Sequence, residues 1–142
     1  MASIAVSALG RPLVRARALI SYDELIAAGT SATVTLMRIP AEAIVQDVFI
    51  SVPTLLADAG SISAVTIKLG DGTDDDRWFT ATGVFTGDTQ ARQAAAGAGP
   101  NVMAAAANVV ATFTATGANF GDGATTDLDA GLVAVTVTYR LV

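Results

Sequence analysis

Cysteine and histidine are both absent from this 142-residue sequence. Without cysteine there is no disulfide framework, no thiolate metal ligand and no thiol nucleophile. Without histidine as well, the Ser-His-Asp and Cys-His mechanisms are closed, and so are zinc sites of the usual ligand types. Lysine occurs once, at Lys68, and tryptophan once, at Trp78. No GxxxxGK(S/T) phosphate loop is present, and two tyrosines with one tryptophan are few for a receptor-binding face. Charged residues make up 15% of the chain, against about 25% in ordinary soluble domains. Long apolar runs are missing too. The longest charge-free stretch, residues 93–121, contains Pro100 and several Gly, Asn and Thr, which a bilayer core does not accept. The beginning is apolar before it is basic (Ile4, Val6, Leu9, then Arg11), the reverse of a signal peptide. The expectation is synthesis in the cytoplasm and no membrane partner.

What is present is small and β-forming. Hydrophobic residues are 52% of the chain, spread over Ala and Val with abundant Thr beside them. A single domain of this length buries roughly 68–70% of the surface of its unfolded chain and needs no cross-links. A surface so poor in charge is expected to be covered in part by neighbouring molecules. The net charge of −5 is unevenly distributed. Residues 1–20 carry Arg11, Arg15 and Arg17 and no acid, +3; the other five bases and all thirteen acids give −8 over residues 21–142. Phosphate repulsion by the acidic body argues against nucleic-acid binding. The arginine cluster is either a solvated terminus or an arm that reaches onto an acidic neighbour. The sequence therefore divides into an N-terminal arm, 1–20, and a domain, 21–142.

Two-residue alternation is the dominant local signal. Val133, Val135, Val137, Tyr139 and Leu141 alternate with Ala134, Thr136, Thr138 and Arg140, the pattern of a half-buried strand. Residues 108–116 and 64–69 behave alike. Residues 43–52 place Ile44, Val48, Ile50 and Val52 on one side and Val45, Asp47, Phe49 and Ser51 on the other. Residues 31–39 are β-like, and 78–85 more weakly so. Gly-Asp, Asp-Gly and Pro signals separate these runs. Six or more short strands between turns predict an antiparallel sandwich or jelly roll. Ser21-Tyr22-Asp23-Glu24 has the form of a capping box opening a short helix, with a strand through residues 18–25 as the alternative. Residues 90–107, rich in Ala and Gly, read as a long surface loop.

Two acidic groups are candidates for chemistry. Asp71-Gly72-Thr73-Asp74-Asp75-Asp76 is an oxygen-rich loop, but its glycine stands at the second place and no Glu closes it, unlike an EF-hand. It is a cation site or a solvated turn between strands. Asp122, Asp127 and Asp129 pose the same choice. Acid–base pairs of the glycosidase kind lack an aromatic platform here: Trp78 and Phe79 stand next to the acidic loop, but alternation puts one of them in the core. The expectation is no enzyme, no cofactor and no resident metal.

The stretch from Thr33 through Ile39-Pro40-Ala41-Glu42-Ala43 to Val48 resembles a pattern of small tailed-phage structural proteins. So do Val65-Thr66-Ile67-Lys68-Leu69-Gly70-Asp71-Gly72-Thr73-Asp74 and the closing Gly131-to-Tyr139 strand. The resemblance covers about 110 residues, from Ser31 onward, loosely. It implies an all-β, jelly-roll-like antiparallel β-sandwich that decorates or cements a bacteriophage capsid on its surface. Such a protein is a homo-oligomer, with a trimer expected, docked on the major capsid protein or other virion proteins. Arg11, Arg15 and Arg17 are the partner-binding candidates. A tail- or fibre-associated receptor-binding module is the alternative.

Overall fold

The computed structural model describes residues 13–26, 29–58, 62–85, 91–94, 101–121 and 128–141. Nine strands follow one another: β1 (Leu13–Ser21), β2 (Ser31–Ile39), β3 (Ile44–Asp58), β4 (Ala64–Gly70), β5 (Phe79–Gly83), β6 (Ala91–Ala94), β7 (Asn101–Val102), β8 (Ala107–Thr116) and β9 (Leu128–Arg140). The only helical element among the described residues is one 3₁₀ turn, Tyr22–Glu24. The strands form two antiparallel sheets. One has the order β1-β9-β3-β6, with the short β7 also on β3; the other has the order β2-β8-β4-β5. The protein is an all-β sandwich of these two sheets.

The alternation read from the sequence explains which faces meet. On β9 Val133, Val135 and Val137 are buried; on β8 Val109, Ala111 and Phe113; on β4 Val65, Ile67 and Leu69. With Val48, Ile50 and Val52 of β3 they make one core, plugged by Trp78, Phe120, Leu25 and Met103. Small and β-branched side chains dominate, so burial is spread over many contributions of roughly 1.5–3 kcal/mol each.

Four expectations need correction or completion. First, the boundary at residue 20 falls inside a strand: β1 pairs with β9 in continuous register from Leu13↔Arg140 to Ser21↔Leu132. Residues 13–20 belong to the sandwich because Val14, Ala16, Ala18 and Ile20 alternate toward its interior side; Ile20 is fully buried. Residues 1–12 lie outside the described residues. Second, the stretch expected as a loop at 90–107 contains β6 and β7, which pair with Asp47–Ile50 and Ile44–Val45 respectively. Backbone pairing, which composition does not report, places them. Third, β3 changes phase. A register shift between Val45 and Asp47 buries both Val45 and Val48, while Ile44 is only half-buried. Fourth, Trp78 and Phe79 are both in the core. Strict alternation allows only one, but Trp78 precedes β5, and its N–H donates to the Leu69 carbonyl at 2.9 Å across an irregular β4–β5 register.

At residues 21–24 both readings hold in part. β1 ends at Ser21, whose N–H donates to Glu24 Oε2 at 2.9 Å, and the chain makes one 3₁₀ turn before Leu25 enters the core.

Candidate docking face

The outer surface of the β1-β9-β3 sheet gathers two of the three sequence-predicted cations, Arg15 and Arg17. Register sets Arg15 beside Thr138 and Arg17 beside Thr136; Thr138 and Thr136 in turn sit beside Asp47 and Phe49 of β3. These six residues line an open groove of about 370 Å³. Thr138 forms part of its floor and is 8% exposed. Arg15 and Arg17 stand two residues apart on one exposed edge of that face. Among the described residues neither has a carboxylate within ion-pair distance; the two ion pairs found there are Lys68–Asp75 and Arg77–Asp71. Arg11 lies outside the described residues.

Leu13 and Leu19, 56% and 52% exposed, flank the two arginines on the same side of β1. Their role was not singled out from the sequence, although the signal is there: Leu13, Arg15, Arg17 and Leu19 alternate with Val14, Ala16 and Ala18. A strand whose buried side is small and whose solvent side carries leucines at both ends presents apolar surface to something.

The acidic loop is built differently. Asp71 Oδ1 accepts the N–H groups of Thr73 at 3.0 Å and Asp74 at 2.8 Å, and its Oδ2 accepts from Arg77 Nη1 at 2.8 Å. The backbone bond from Asp74, then the Arg77 guanidinium, hold the Asp71 carboxyl below its ordinary range. Gly70 is required at the turn: a Cβ there would collide with the Asp74 carbonyl and lie 2.5 Å from the Asp75 backbone. Arg77 also stacks 5.2 Å from the Trp78 ring centroid. The loop is thus organised by its own hydrogen bonds. Asp74, Asp75 and Asp76 are exposed, with one carboxylate oxygen of each within 4.8 Å of the others. Asp76 is pushed above the ordinary carboxylate range by its hydrogen bond to Asp74 and by the neighbouring negative charges. Of the second acidic group, Asp129 is exposed on β9, and Asp122 and Asp127 lie outside the described residues. The described structure does not bring Asp129 to the Asp71–Asp76 loop, which joins two strands of the opposite sheet.

No protein-family profile matches the sequence, and no curated protein is similar to it. The fold, however, is similar to solved structures. One is a chain of the cyanophage Pam1 capsid asymmetric unit, at TM-score 0.64 and 20% identity, covering 93% of this chain and 86% of that one. Another is a chain of the acid-stable capsid of Helicobacter pylori bacteriophage KHP30, at TM-score 0.56 and 15% identity, covering 91% and 87%. A third is a chain of the capsid of Ralstonia phage GP4, at TM-score 0.57 and 17% identity, covering 92% and 85%. The shared feature is the fold over nearly the whole length of each chain.

Proposed function

We propose that the protein is a structural component of a bacteriophage virion that decorates or cements the capsid surface without catalysing a reaction. The observation that carries this reading is the match of more than nine-tenths of the chain to chains from three phage capsids. Fold alone does not specify function; here the composition points the same way. A chain lacking Cys and His, with 15% charged residues, suits burial against neighbours better than chemistry. The strand order β1-β9-β3-β6 over β2-β8-β4-β5 supports a jelly-roll reading, in which eight strands fold as two interleaved Greek keys.

Attachment in this reading uses the outer face of β1. Arg15 and Arg17 meet acidic groups of the major capsid protein or another virion protein, with Arg11 extending the same basic stretch. Oligomer packing, as a trimer, repeats the contact and raises the total binding strength without enlarging any one interface.

The test is cosedimentation with phage shells prepared without this protein. Wild type is expected to sediment with the shells in a salt-sensitive manner, and Arg15→Glu/Arg17→Glu to stay in the supernatant. Failure of the wild type to bind any intact shell overturns the reading. Light scattering adds the assembly state: a trimer of the 14.3 kDa chain is expected, and a monomer both free and on shells excludes the oligomer-packing part.

A further inference from the structure

Among the described residues β1 is the last strand on its side of the sheet. Among the described residues its only strand partner is β9, and no other backbone hydrogen bond reaches residues 13–20. The opposite margin of β1 therefore presents the unpaired N–H and C=O groups of an edge strand. Such an edge recruits any extended segment that fits it, and proteins normally blunt it with charge.

The exposed side of β1 reads Leu13, Arg15, Arg17, Leu19. A second copy of β1 added antiparallel and centred on Ala16 sets Arg15 against the other copy's Arg17, twice. Centred on Arg17, it sets that residue against itself. Like charges directly opposite each other destabilise a strand pair, so both of these registers are disfavoured for a second copy of β1. The complement of the pattern is an extended segment with two acids two residues apart and an apolar residue beyond each. In this sequence acids at that spacing occur at Asp74/Asp76 and Asp127/Asp129. Their outer positions are Gly72 and Trp78, and Thr125 and Gly131. Neither has an apolar side chain at both ends, so the complementary segment belongs to a different chain.

We infer that β1 is an acceptor edge which binds an extended acidic segment of a neighbouring capsid protein as an added strand, with its two carboxylates beside Arg15 and Arg17. This rests on the capsid reading above and specifies the partner's chemistry. Side chains directly opposite across a strand pair have Cβ atoms about 4.5–5.5 Å apart, within the reach of an arginine–carboxylate pair. Main-chain bonds supply the attachment, and the alternate side chains select the partner.

The experiment titrates the full-length, isotope-labelled protein with a nine-residue probe, capped Thr-Leu-Thr-Asp-Thr-Asp-Thr-Leu-Thr. Two controls accompany it: the same peptide with Lys for Asp, and an acidic peptide with alternate backbone nitrogens methylated. The acidic probe is expected to shift the amide resonances of residues 13–20. The lysine and the N-methylated peptides are each expected to bind about tenfold weaker or less, since two reversed pairs and lost ladder bonds are each worth about 1.4 kcal/mol. Arg15→Glu/Arg17→Glu, whose substituted side chains are exposed and whose fold is checked by circular dichroism, is expected to exchange preference and bind the lysine peptide. Equal binding of acidic and basic probes, shifts centred away from β1, or no binding overturns the inference. If wild type sediments with shells while the acidic probe fails, the edge mechanism falls and the capsid reading stands. If the probe binds β1 but no shell is decorated, the capsid reading falls and the acceptor edge stands.

Discussion

Asp71 carries an unusual share of the order in the β4–β5 turn, since one carboxylate satisfies two backbone N–H groups and a guanidinium. Its replacement by Ala is expected to cost about 1–3 kcal/mol in urea unfolding at pH 7, because those donors lose a charged acceptor. The pH dependence follows from the depressed carboxyl. Its contribution is fully present above the ordinary value of 3.8 and is lost as pH falls through the lower folded-state value. The stability gap between wild type and Asp71→Ala should therefore narrow below pH 3.8; a constant gap down to acid unfolding would contradict the assignment. Gly131 is the second residue with a demanding position. It has φ of +141°, and an added Cβ would collide with the Leu56 side chain and lie 2.8 Å from its Cα. Gly131→Ala is expected to destabilise by about 1–3 kcal/mol or more, through backbone strain and overpacking together, measured by the shift of the urea midpoint.

At the level of elements, β1 decides how the chain can be shortened. A chain beginning at Leu13 retains every strand pairing described here. One beginning at Tyr22 lacks β1, uncovers the β9 edge and loses the burial of Ile20. The first is expected to unfold with the wild-type midpoint and the second to lose several kcal/mol or fail to fold. Circular dichroism melts of both truncations check this. Equal stability of the two would mean that β1 contributes nothing to the sandwich. Arg15→Glu/Arg17→Glu, by contrast, changes only exposed positions, and its stability should stay within about 0.5 kcal/mol of wild type. In the proposed reading, attachment and stability thus reside on opposite sides of the same strand.

The whole molecule is tied together by strands distant in sequence. β1 pairs with β9, and β3 lies between β9 and β6, so few of the pairings are hairpins. Folding is expected on the millisecond-to-second scale of non-local β topologies rather than in microseconds; stopped-flow refolding reads this directly, and a microsecond phase with full amplitude would exclude it. Small and β-branched side chains from both sheets make up most of the core, with Trp78, Phe79, Phe113 and Phe120 as its large aromatics. Phe113, fully buried in the interior strand β8, is one of these, and Phe113→Ala should cost about 3–5 kcal/mol.

Much of this was determined by the sequence alone. Alternation marked β3, β4, β8 and β9, because each buries one face and the side-chain period of a strand is two, and Thr- and Val-rich composition marked β2. The turns announced themselves through Gly and Asp, and the absence of Cys and His narrowed the chemistry before any fold was known. The cationic positions Arg15 and Arg17 were also visible, as residues. Their setting was not. That residues 13–20 form an edge strand follows from pairing with β9, more than a hundred residues away, and the two short strands β6 and β7 are defined by their pairing with β3. The phase change in β3 and the double burial at Trp78 and Phe79 depend on local register shifts, which no one-dimensional pattern encodes. Periodicity records which side of a strand is buried; only the tertiary structure decides which strand lies beside it and which edge stays open.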